Sequence, residues 1–295
     1  MNRRPLFTAH DQVAALGLGC IYLMVLPRYL EPEKAFQDLF GMLPRDNIDK
    51  FDTLVVTSYL GFFGAGCLLA AIDAKASRLT LLTQAVMSAF YLHAIYMIAP
   101  QLGVISDEFL TRLRRTLTLI LATCFTSLLL DCRNASKKSS WNEYLPSRFH
   151  ITPAQVGAFL AGCNWLLAIP LPFRSKKIFQ DFHGMEPQSD IETLGIMMIF
   201  SLDGFFGLAC VMAATDARAA RIAVVWQLFM TLFYIRFQYV VTSVLGVFQT
   251  NSQLDDMILL HQVFGMTILL TTLYLDMIFH KKKNLMLYLQ TMLLN

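Results

Sequence analysis

Charged residues are scarce in this chain of 295 residues: only 15% are Asp, Glu, Lys or Arg, whereas 56% are hydrophobic. The mean hydropathy is +0.51. This composition excludes an ordinary soluble domain, in which about 25% of residues are charged. The net charge of +3 is too small and too dispersed for a nucleic-acid-binding surface. An integral membrane protein that contacts membrane lipids is therefore indicated.

Motifs for catalysis and metal binding are also lacking. The sequence contains no HExxH, P-loop, GxSxG or paired-carboxylate hydrolase pattern. Its six cysteines form no CxxC pair, and most fall within apolar runs, where a buried structural thiol is the expected role. The sequence therefore offers no positive evidence for catalysis, a metal or a cofactor.

Apolar runs of about 20 residues, the length that crosses a bilayer core, recur along the chain. They predict an all-α membrane protein, because helices are the only open structure that a bilayer tolerates. The eight predicted transmembrane helices are 11–27, 53–72, 79–99, 113–131, 153–172, 194–215, 220–246 and 257–279.

The second half of the chain repeats the first at a constant offset. The segment 61–78 (GFFGAGCLLAAIDAKASR) corresponds to 204–221 (GFFGLACVMAATDARAAR), so that Asp216 matches Asp73 and the offset is 143 (216 − 73). The repeated unit holds four predicted helices, an even number, so both copies have the same orientation. This pattern predicts parallel four-helix repeats related by an axis along the membrane normal.

The predicted organisation has four parts: a first four-helix unit (1–133), a cytoplasmic linker (134–150), a second four-helix unit (151–280) and a basic-amphipathic C-terminal tail (281–295). The tail is too short to cross a membrane and is predicted to lie on the membrane surface or to dock on a partner. Segments 35–43 and 178–185 read either as interfacial helices or as ordinary loops with a helical turn.

Most basic residues gather on one side of the predicted membrane, and acidic residues such as Asp46, Asp49, Asp52 and Glu192 lie in loops on the other. The exception is a group of three bases that flank the fourth predicted helix on the acidic side, Arg112, Arg114 and Arg115. Positive-inside reasoning then puts both termini in the cytoplasm. The membrane is expected to be the endoplasmic reticulum or another internal membrane rather than the plasma membrane. Two turns on the basic side join antiparallel helices, with an acid that caps and bases that contact headgroups. Their charged residues are Asp73, Arg78, Asp216 and Arg221.

A stripe of small residues follows one face of the second and sixth predicted helices. Small residues let helices approach closely in lipid, so helix packing is the favoured interpretation and a ligand groove the alternative. The stripe comprises Gly61, Gly64 and Cys67 in the first copy, and Gly204, Gly207 and Cys210 in the second.

Polar residues deep inside a membrane are costly and call for a reason. Asp203 and Arg236 are each predicted to lie roughly 20–22 Å from the basic side, at about 1.5 Å per helical residue, and to form an ion pair. Asn164 and His261 reach a similar depth, whereas the first copy keeps only His93. Three interpretations stay open: a buried structural network, a pocket for a lipid, sterol or quinone headgroup, and proton-coupled transport or catalysis.

Each unit combines a Phe-x-x-x-x-Gly segment (Phe36 to Gly41, Phe179 to Gly184) with a Gly-rich helix that ends in Asp-Ala-x-Ala-x-Arg. This pattern, over 11–131 and 153–279, resembles the small four-helix membrane modules of the DoxX-like type, and more distantly the four-helix scaffold protein of ergosterol biosynthesis. Such modules usually occur singly, so the fused duplication is a departure. The resemblance implies an accessory or scaffold role and carries over no catalytic residue.

The leading functional hypothesis is therefore a non-enzymatic scaffold or accessory subunit that organises other membrane proteins or lipids. The alternative is a binder or transporter of a lipid, sterol or quinone-like ligand, which would use the polar layer of the second unit. An accessory subunit of an oxidoreductase is a third possibility, because such subunits have no sequence signature.

The topology is testable at the sequon Asn134-Ala135-Ser136, which falls on the predicted cytoplasmic side. Because glycosylation occurs on the lumenal side, we expect Asn134 to stay unmodified in an endoplasmic reticulum membrane. Gel mobility before and after glycosidase treatment is the measurement. A mass shift that the Asn134→Gln variant loses would overturn this topology.

Overall fold

The computed structural model describes residues 10–24, 26–29, 31–97, 105, 107–138, 151–167, 170, 174–247, 262–263 and 265–281. All regular structure in these ranges is helical. The helices are α1 (His10–Leu23), α2 (Leu26–Tyr29), α3 (Pro32–Phe40), α4 (Asn47–Ala70), α5 (Ala74–Met97), α6 (Asp107–Lys138), α7 (Pro153–Leu166), α8 (Ser175–His183), α9 (Asp190–Ala213), α10 (Ala217–Leu245) and α11 (265–281).

Five segments of the described chain are long and apolar enough to cross a membrane. They are Asn47–Ala70, Ala74–Met97, Asp107–Leu130, Asp190–Ala213 and Ala217–Ile235. These helices support a multi-pass membrane protein. The predicted spans 11–27 and 153–172 correspond to α1 and α7, which have 14 residues each. At about 1.5 Å per residue, helices of this length cover only part of a bilayer core about 30 Å thick.

Helix bounds in the two halves of the chain are related by the offset seen in the sequence. We call 10–138 the first half and 151–281 the second half. Under this offset, α1, α3 and α4 match α7, α8 and α9 at both ends, and α5 and α10 match at their first residues (217 − 74 = 143). Two positions related by this offset are called equivalent below.

The two short segments predicted between spans form α3 and α8. Each ends at a glycine in the left-handed region, Gly41 (φ 74°) and Gly184 (φ 68°), whose N–H bonds to the carbonyl four residues earlier. A side chain is strained at such a φ, which explains why glycine stands at both equivalent positions.

A charged turn joins two long helices in each half. The Asp73 carboxylate accepts hydrogen bonds from the N–H groups of Lys75 and Ala76 and thereby caps α5. Asp216 caps α10 in the same way. The bases of these turns bind buried acids: Arg78 contacts Asp11 (3.3 Å) and Arg221 contacts Asp276 (2.8 Å). The four charged turn residues thus hold helix ends together.

Within each half, two helices cross at glycine. A Cβ atom added to Gly64 of α4 would lie 3.0 Å from the carbonyl oxygen of Gly19 in α1. A Cβ atom added to Gly207 of α9 would lie 2.8 Å from the carbonyl oxygen of Gly162 in α7. Close backbone approach is therefore the reason that only small residues fit at these positions.

The rest of the small-residue stripe is packed as well. A Cβ atom added to Gly61 would lie 2.5 Å from the Leu26 side chain. Cys67, Gly204 and Cys210 are buried. The stripe thus forms packing contacts along α4 and α9.

Helices α4 and α9 meet at the centre of the molecule. The Phe63 and Phe206 rings stack with centroids 4.2 Å apart and planes 12° apart. Eleven positions earlier on each helix, Asp52 lies against Gly195. Both contacts join equivalent positions (206 − 63 = 195 − 52 = 143), so α4 and α9 run parallel. The largest buried apolar cluster surrounds this contact.

The glycine crossing can be tested with alanine in two helices. A Cβ atom at position 162 would meet backbone atoms of α9 at 2.8 and 2.9 Å, which cannot give way, whereas one at Gly17 meets nothing within 4 Å. We expect Gly162→Ala to lower stability by about 1–3 kcal/mol. The control Gly17→Ala should be neutral or slightly stabilising. Thermal unfolding in detergent measures both, and equal midpoints for the two variants would contradict the packing argument.

Candidate functional site at the interface between the halves

Contacts between the two halves occur in reciprocal pairs. Each contact named here, from a residue of the first half to a residue of the second, recurs with the equivalent residues exchanged. The pairs are Ser58–Tyr234 and Ser201–Tyr91 (hydroxyl oxygens 2.7 Å apart in both), Phe62–Phe233 and Phe205–Phe90 (ring centroids 5.0 and 5.4 Å apart), and Lys75–Asp216 and Arg218–Asp73 (3.2 and 3.4 Å). Such reciprocity is the pattern that a two-fold axis produces at an isologous interface.

Near the middle of the interface, Asp203 forms a contact that does not recur with the equivalent residues exchanged. Asp203 of α9 is buried, and its carboxylate accepts a hydrogen bond from the Tyr59 hydroxyl of α4. The equivalent residue of the first half is Leu60 (203 − 60 = 143). The Tyr59 ring packs 5.1 Å from both Phe206 and Tyr234. This hydrogen bond therefore joins the two halves inside an aromatic cluster.

The other residues of the predicted polar layer have different surroundings. Asn164 is half-buried in α7, and its side-chain nitrogen lies 3.9 Å from the position that a Cβ atom at Gly265 would take. His93 is exposed on α5. The Arg236 side chain and the whole of His261 lie outside the described residues, so the predicted Asp203–Arg236 pair stays a prediction. Of the five predicted residues, the structure places Asp203 at the interface between the halves.

A small cavity of about 40 Å³ lies between the halves, between the Phe63–Phe206 stack and the charged turns. Three pairs of equivalent small residues line it: Gly66 and Ala209, Ala70 and Ala213, Ala76 and Ala219. Since one water occupies about 30 Å³ of liquid, the cavity has room for a water or a methyl group. A ligand with a ring system fits only if the two halves move apart.

Trp226 closes one wall of this cavity. Its Nε1–H donates a hydrogen bond of 3.0 Å to the Phe62 carbonyl oxygen, and its ring lies over Gly66. The equivalent residue of the first half is Thr83. Thr83 is buried and lines the same cavity, so equivalent positions of the two halves contribute side chains of different size to its walls.

A cluster of acids lies at the opposite end of the interface. Arg45 donates from Nε and Nη2 to the Asp49 carboxylate at 3.0 Å and from Nη2 to Glu192 Oε1 at 2.9 Å. Asp49 and Glu192 are equivalent residues (192 − 49 = 143), and both are buried. Each also accepts a backbone hydrogen bond, from the N–H of Arg45 (2.8 Å) and Gln188 (2.7 Å) respectively. Charge-assisted hydrogen bonds to one guanidinium therefore join the two halves here.

Asp52 belongs to the same cluster. It is buried one turn further along α4 than Asp49, and its carboxylate lies against Gly195 of α9. Within the described residues, its Oδ1 atom has no hydrogen-bond partner. A methyl group at position 195 would overlap Asp52 Oδ2, so glycine is what allows this approach.

The prediction of a loop for Asp49, Asp52 and Glu192 is wrong, because α4 begins at Asn47 and α9 begins at Asp190. Asp46 caps α4 through the N–H groups of Ile48 and Asp49, which extends it past the apolar run into the acidic residues. The feature of the sequence that could have indicated this cluster is the pair of acids at equivalent positions, Asp49 and Glu192.

The described residues hold no group of three His, Cys, Asp or Glu side chains that is arranged to bind a metal ion. The cysteines described are free thiols, and three of them are buried. What the interface provides chemically is a set of hydrogen-bonding and ionisable groups inside an apolar bundle, rather than a recognisable nucleophile or metal centre.

Comparison of the chain with protein-family models, with curated proteins and with solved structures gives no match.

A buried histidine near the acid cluster makes the fold sensitive to pH. His183 of α8 packs 4.5 Å from Phe179, and its Nδ1 bonds to the Val247 carbonyl oxygen at 2.8 Å. Burial lowers the pKa of His183 from its ordinary value, although the bond to Val247 opposes this shift. The unfolded chain therefore takes up a proton before the folded chain does, and stability falls as the pH drops below about 6.5.

We expect His183→Phe to reduce this loss of stability in acid. Phenylalanine is a fitting replacement because the equivalent residue, Phe40, packs on Phe36 at a similar distance (4.6 Å). The measurement is the unfolding midpoint in detergent across the acidic range. The control His93→Gln changes an exposed side chain and should keep the wild-type pH dependence. An unchanged acid dependence in His183→Phe would contradict the assignment.

Proposed function

We propose that the chain is an eight-helix membrane protein made of two four-helix units in the same orientation, with both termini in the cytoplasm. The five candidate spans, the helix bounds that recur at the offset of 143 and the parallel course of α4 and α9 support this architecture. Helices α1, α7 and α11 would complete the eight spans together with neighbouring residues. The reciprocal contacts between the halves support a two-fold axis along the membrane normal.

The function that we propose is non-enzymatic binding of a lipid, sterol or quinone-like ligand at the interface between the halves. The observation that carries this proposal is the Tyr59–Asp203 hydrogen bond. Asp203 lies near the middle of α9, about halfway between its first residue, Asp190, and its last, Ala213, and α9 is a candidate span. An ionisable residue at this depth is a functional-site hypothesis by default, because its burial is costly.

The surroundings of Asp203 favour an amphipathic ligand. Tyr59 and Asp203 offer a hydroxyl and a carboxyl group to the headgroup of a ligand, and aromatic rings surround them. On the other side of the Phe63–Phe206 stack, the small-residue cavity offers apolar walls. Because the cavity is small, binding would require the halves to separate, as parallel repeats do in carriers that alternate access by rocking.

The scaffold or accessory role predicted from the sequence stays a prediction, as does the resemblance to DoxX-like modules. Its proposed docking surfaces are the duplicated bundle and the C-terminal tail, and most of the tail lies outside the described residues. The two roles differ in what purifies with the protein: a stoichiometric lipid-like molecule for a ligand binder, and other protein subunits for a scaffold.

Substitution of Asp203 tests the ligand proposal. Hydrogen bonds to a charged group contribute about 1.5–3 kcal/mol, so we expect Asp203→Asn to weaken ligand binding by about ten- to one hundred-fold. Native mass spectrometry of the protein purified in mild detergent measures the bound fraction. Tyr91→Phe is the matched control, because it removes one interface hydrogen bond, to Ser201, without touching an acid.

The outcomes separate the two roles. Loss of the bound molecule in Asp203→Asn and its retention in Tyr91→Phe support the ligand proposal. Equal occupancy in wild type and Asp203→Asn would overturn it, as would co-purification of protein subunits without any small molecule. Adding Arg236→Gln then tests whether Arg236 takes part, as the sequence predicts.

A further inference from the structure

Asp52 is an acid with unusual surroundings at the interface. Its residue surface is only 7% exposed, and its Oδ1 atom has no hydrogen-bond partner within the described residues. The other carboxylates of the cluster have donors: Asp49 and Glu192 bind Arg45, and Asp46 accepts the N–H groups that begin α4. Among the residues that the structure describes, Asp52 is therefore the acid of this cluster without a cation or an N–H donor.

The charges around Asp52 disfavour its ionised form. Arg45 carries one positive charge, whereas Asp49 and Glu192 together carry two negative charges, so the three groups already sum to −1. From α8, His183 faces the Val247 carbonyl oxygen. Burying a further ionised carboxylate without a donor is unfavourable, and a buried acid avoids this cost by keeping its proton.

The contact with Gly195 places Asp52 where a charge on its carboxyl group would act on acids of both halves. Asp52 and Gly195 are equivalent residues, so this contact lies where α4 and α9 meet each other around the proposed axis. A negative charge on Asp52 would repel Asp49 on its own helix and Glu192 on α9. Water would have to enter between the two helices to screen this repulsion.

We propose that Asp52 is a proton-binding site at the interface between the halves. With the proton bound, α4 and α9 stay in contact at Gly195; with the proton released, repulsion from Asp49 and Glu192 loosens the halves at this end. The site takes a proton rather than a metal ion, since the acids around Asp52 do not converge on a common point in the described structure. This inference goes beyond the ligand proposal and does not depend on it, because it concerns a different acid at the other end of the interface.

Infrared spectroscopy detects a protonated carboxyl group directly through its C=O stretching band. We expect the purified wild-type protein to show this band at neutral pH and to lose it in alkaline solution. In Asp52→Asn the corresponding intensity should be absent. The control Asp107→Asn changes an exposed acid in the first turn of α6 and should leave the band unchanged.

Stability provides a second measurement. If folded Asp52 keeps a proton that the unfolded chain releases above about pH 4, its contribution to the unfolding midpoint falls as the pH rises from about 4 until folded Asp52 also loses its proton. Asp52→Asn should remove this decline. If the asparagine variant does not fold, Asp52→Ser, which is smaller and also uncharged, takes its place in both measurements.

Several results would overturn the proposal. One is a wild-type spectrum at neutral pH without intensity that depends on Asp52. Another is a midpoint that declines equally in wild type and in the Asp52 variant. A third is a rise of the wild-type midpoint on adding Na⁺ in alkaline solution that the variant lacks, since this would make Asp52 a metal-cation site. Loss of ligand in Asp203→Asn affects none of these results, so the two proposals fail separately.

Discussion

Direct contact between equivalent residues of α4 and α9 is the constraint on which the rest of this structure depends. A residue that meets its own equivalent contributes its size and charge twice to the same small space. Two phenylalanines fit into such a space by stacking their rings, as Phe63 and Phe206 do. Two ionised acids repel each other in such a space, and a cation between them offsets this repulsion, as Arg45 does for Asp49 and Glu192. At positions 52 and 195 the conflict is reduced because glycine stands opposite aspartate.

The functional proposals follow from positions where the halves differ. Asp203 has leucine as its equivalent, Asp52 has glycine and Trp226 has threonine. Each of the three residues lies at the interface, and each has a smaller or apolar equivalent in the other half. The reciprocal hydrogen bonds and ion pairs hold the halves together, and Asp203 and Asp52 add acids to this interface at positions where the opposite half has none.

The distribution of polarity makes the interface the natural place for chemistry in this molecule. Large apolar side chains such as Leu119, Phe125 and Leu129 of α6 are exposed on the outside, where a bilayer would cover them. Polar and ionisable side chains are instead buried between the halves, at both the Asp203 and the Asp52 levels. Since lipid cannot satisfy such groups, their partners are other protein groups, and for Asp203 and Glu192 these include a side chain of the opposite half.

The sequence by itself determined the helical membrane class, the constant offset between the halves and the capped turns at Asp73 and Asp216. The apolar runs and the capped turns are local, because the length of a run and the spacing of a capping residue are readable within one segment, and the offset follows from direct comparison of the two halves of the sequence. The eight spans and their orientation stay predictions, since only five helices have the required length and hydropathy in the described chain. Tertiary structure alone decided that Tyr59 of α4 bonds to Asp203 of α9, that His93 is exposed, and that Asp49 and Asp52 are buried. Burial and partners depend on which helix faces meet, and no periodicity within a single helix specifies that choice.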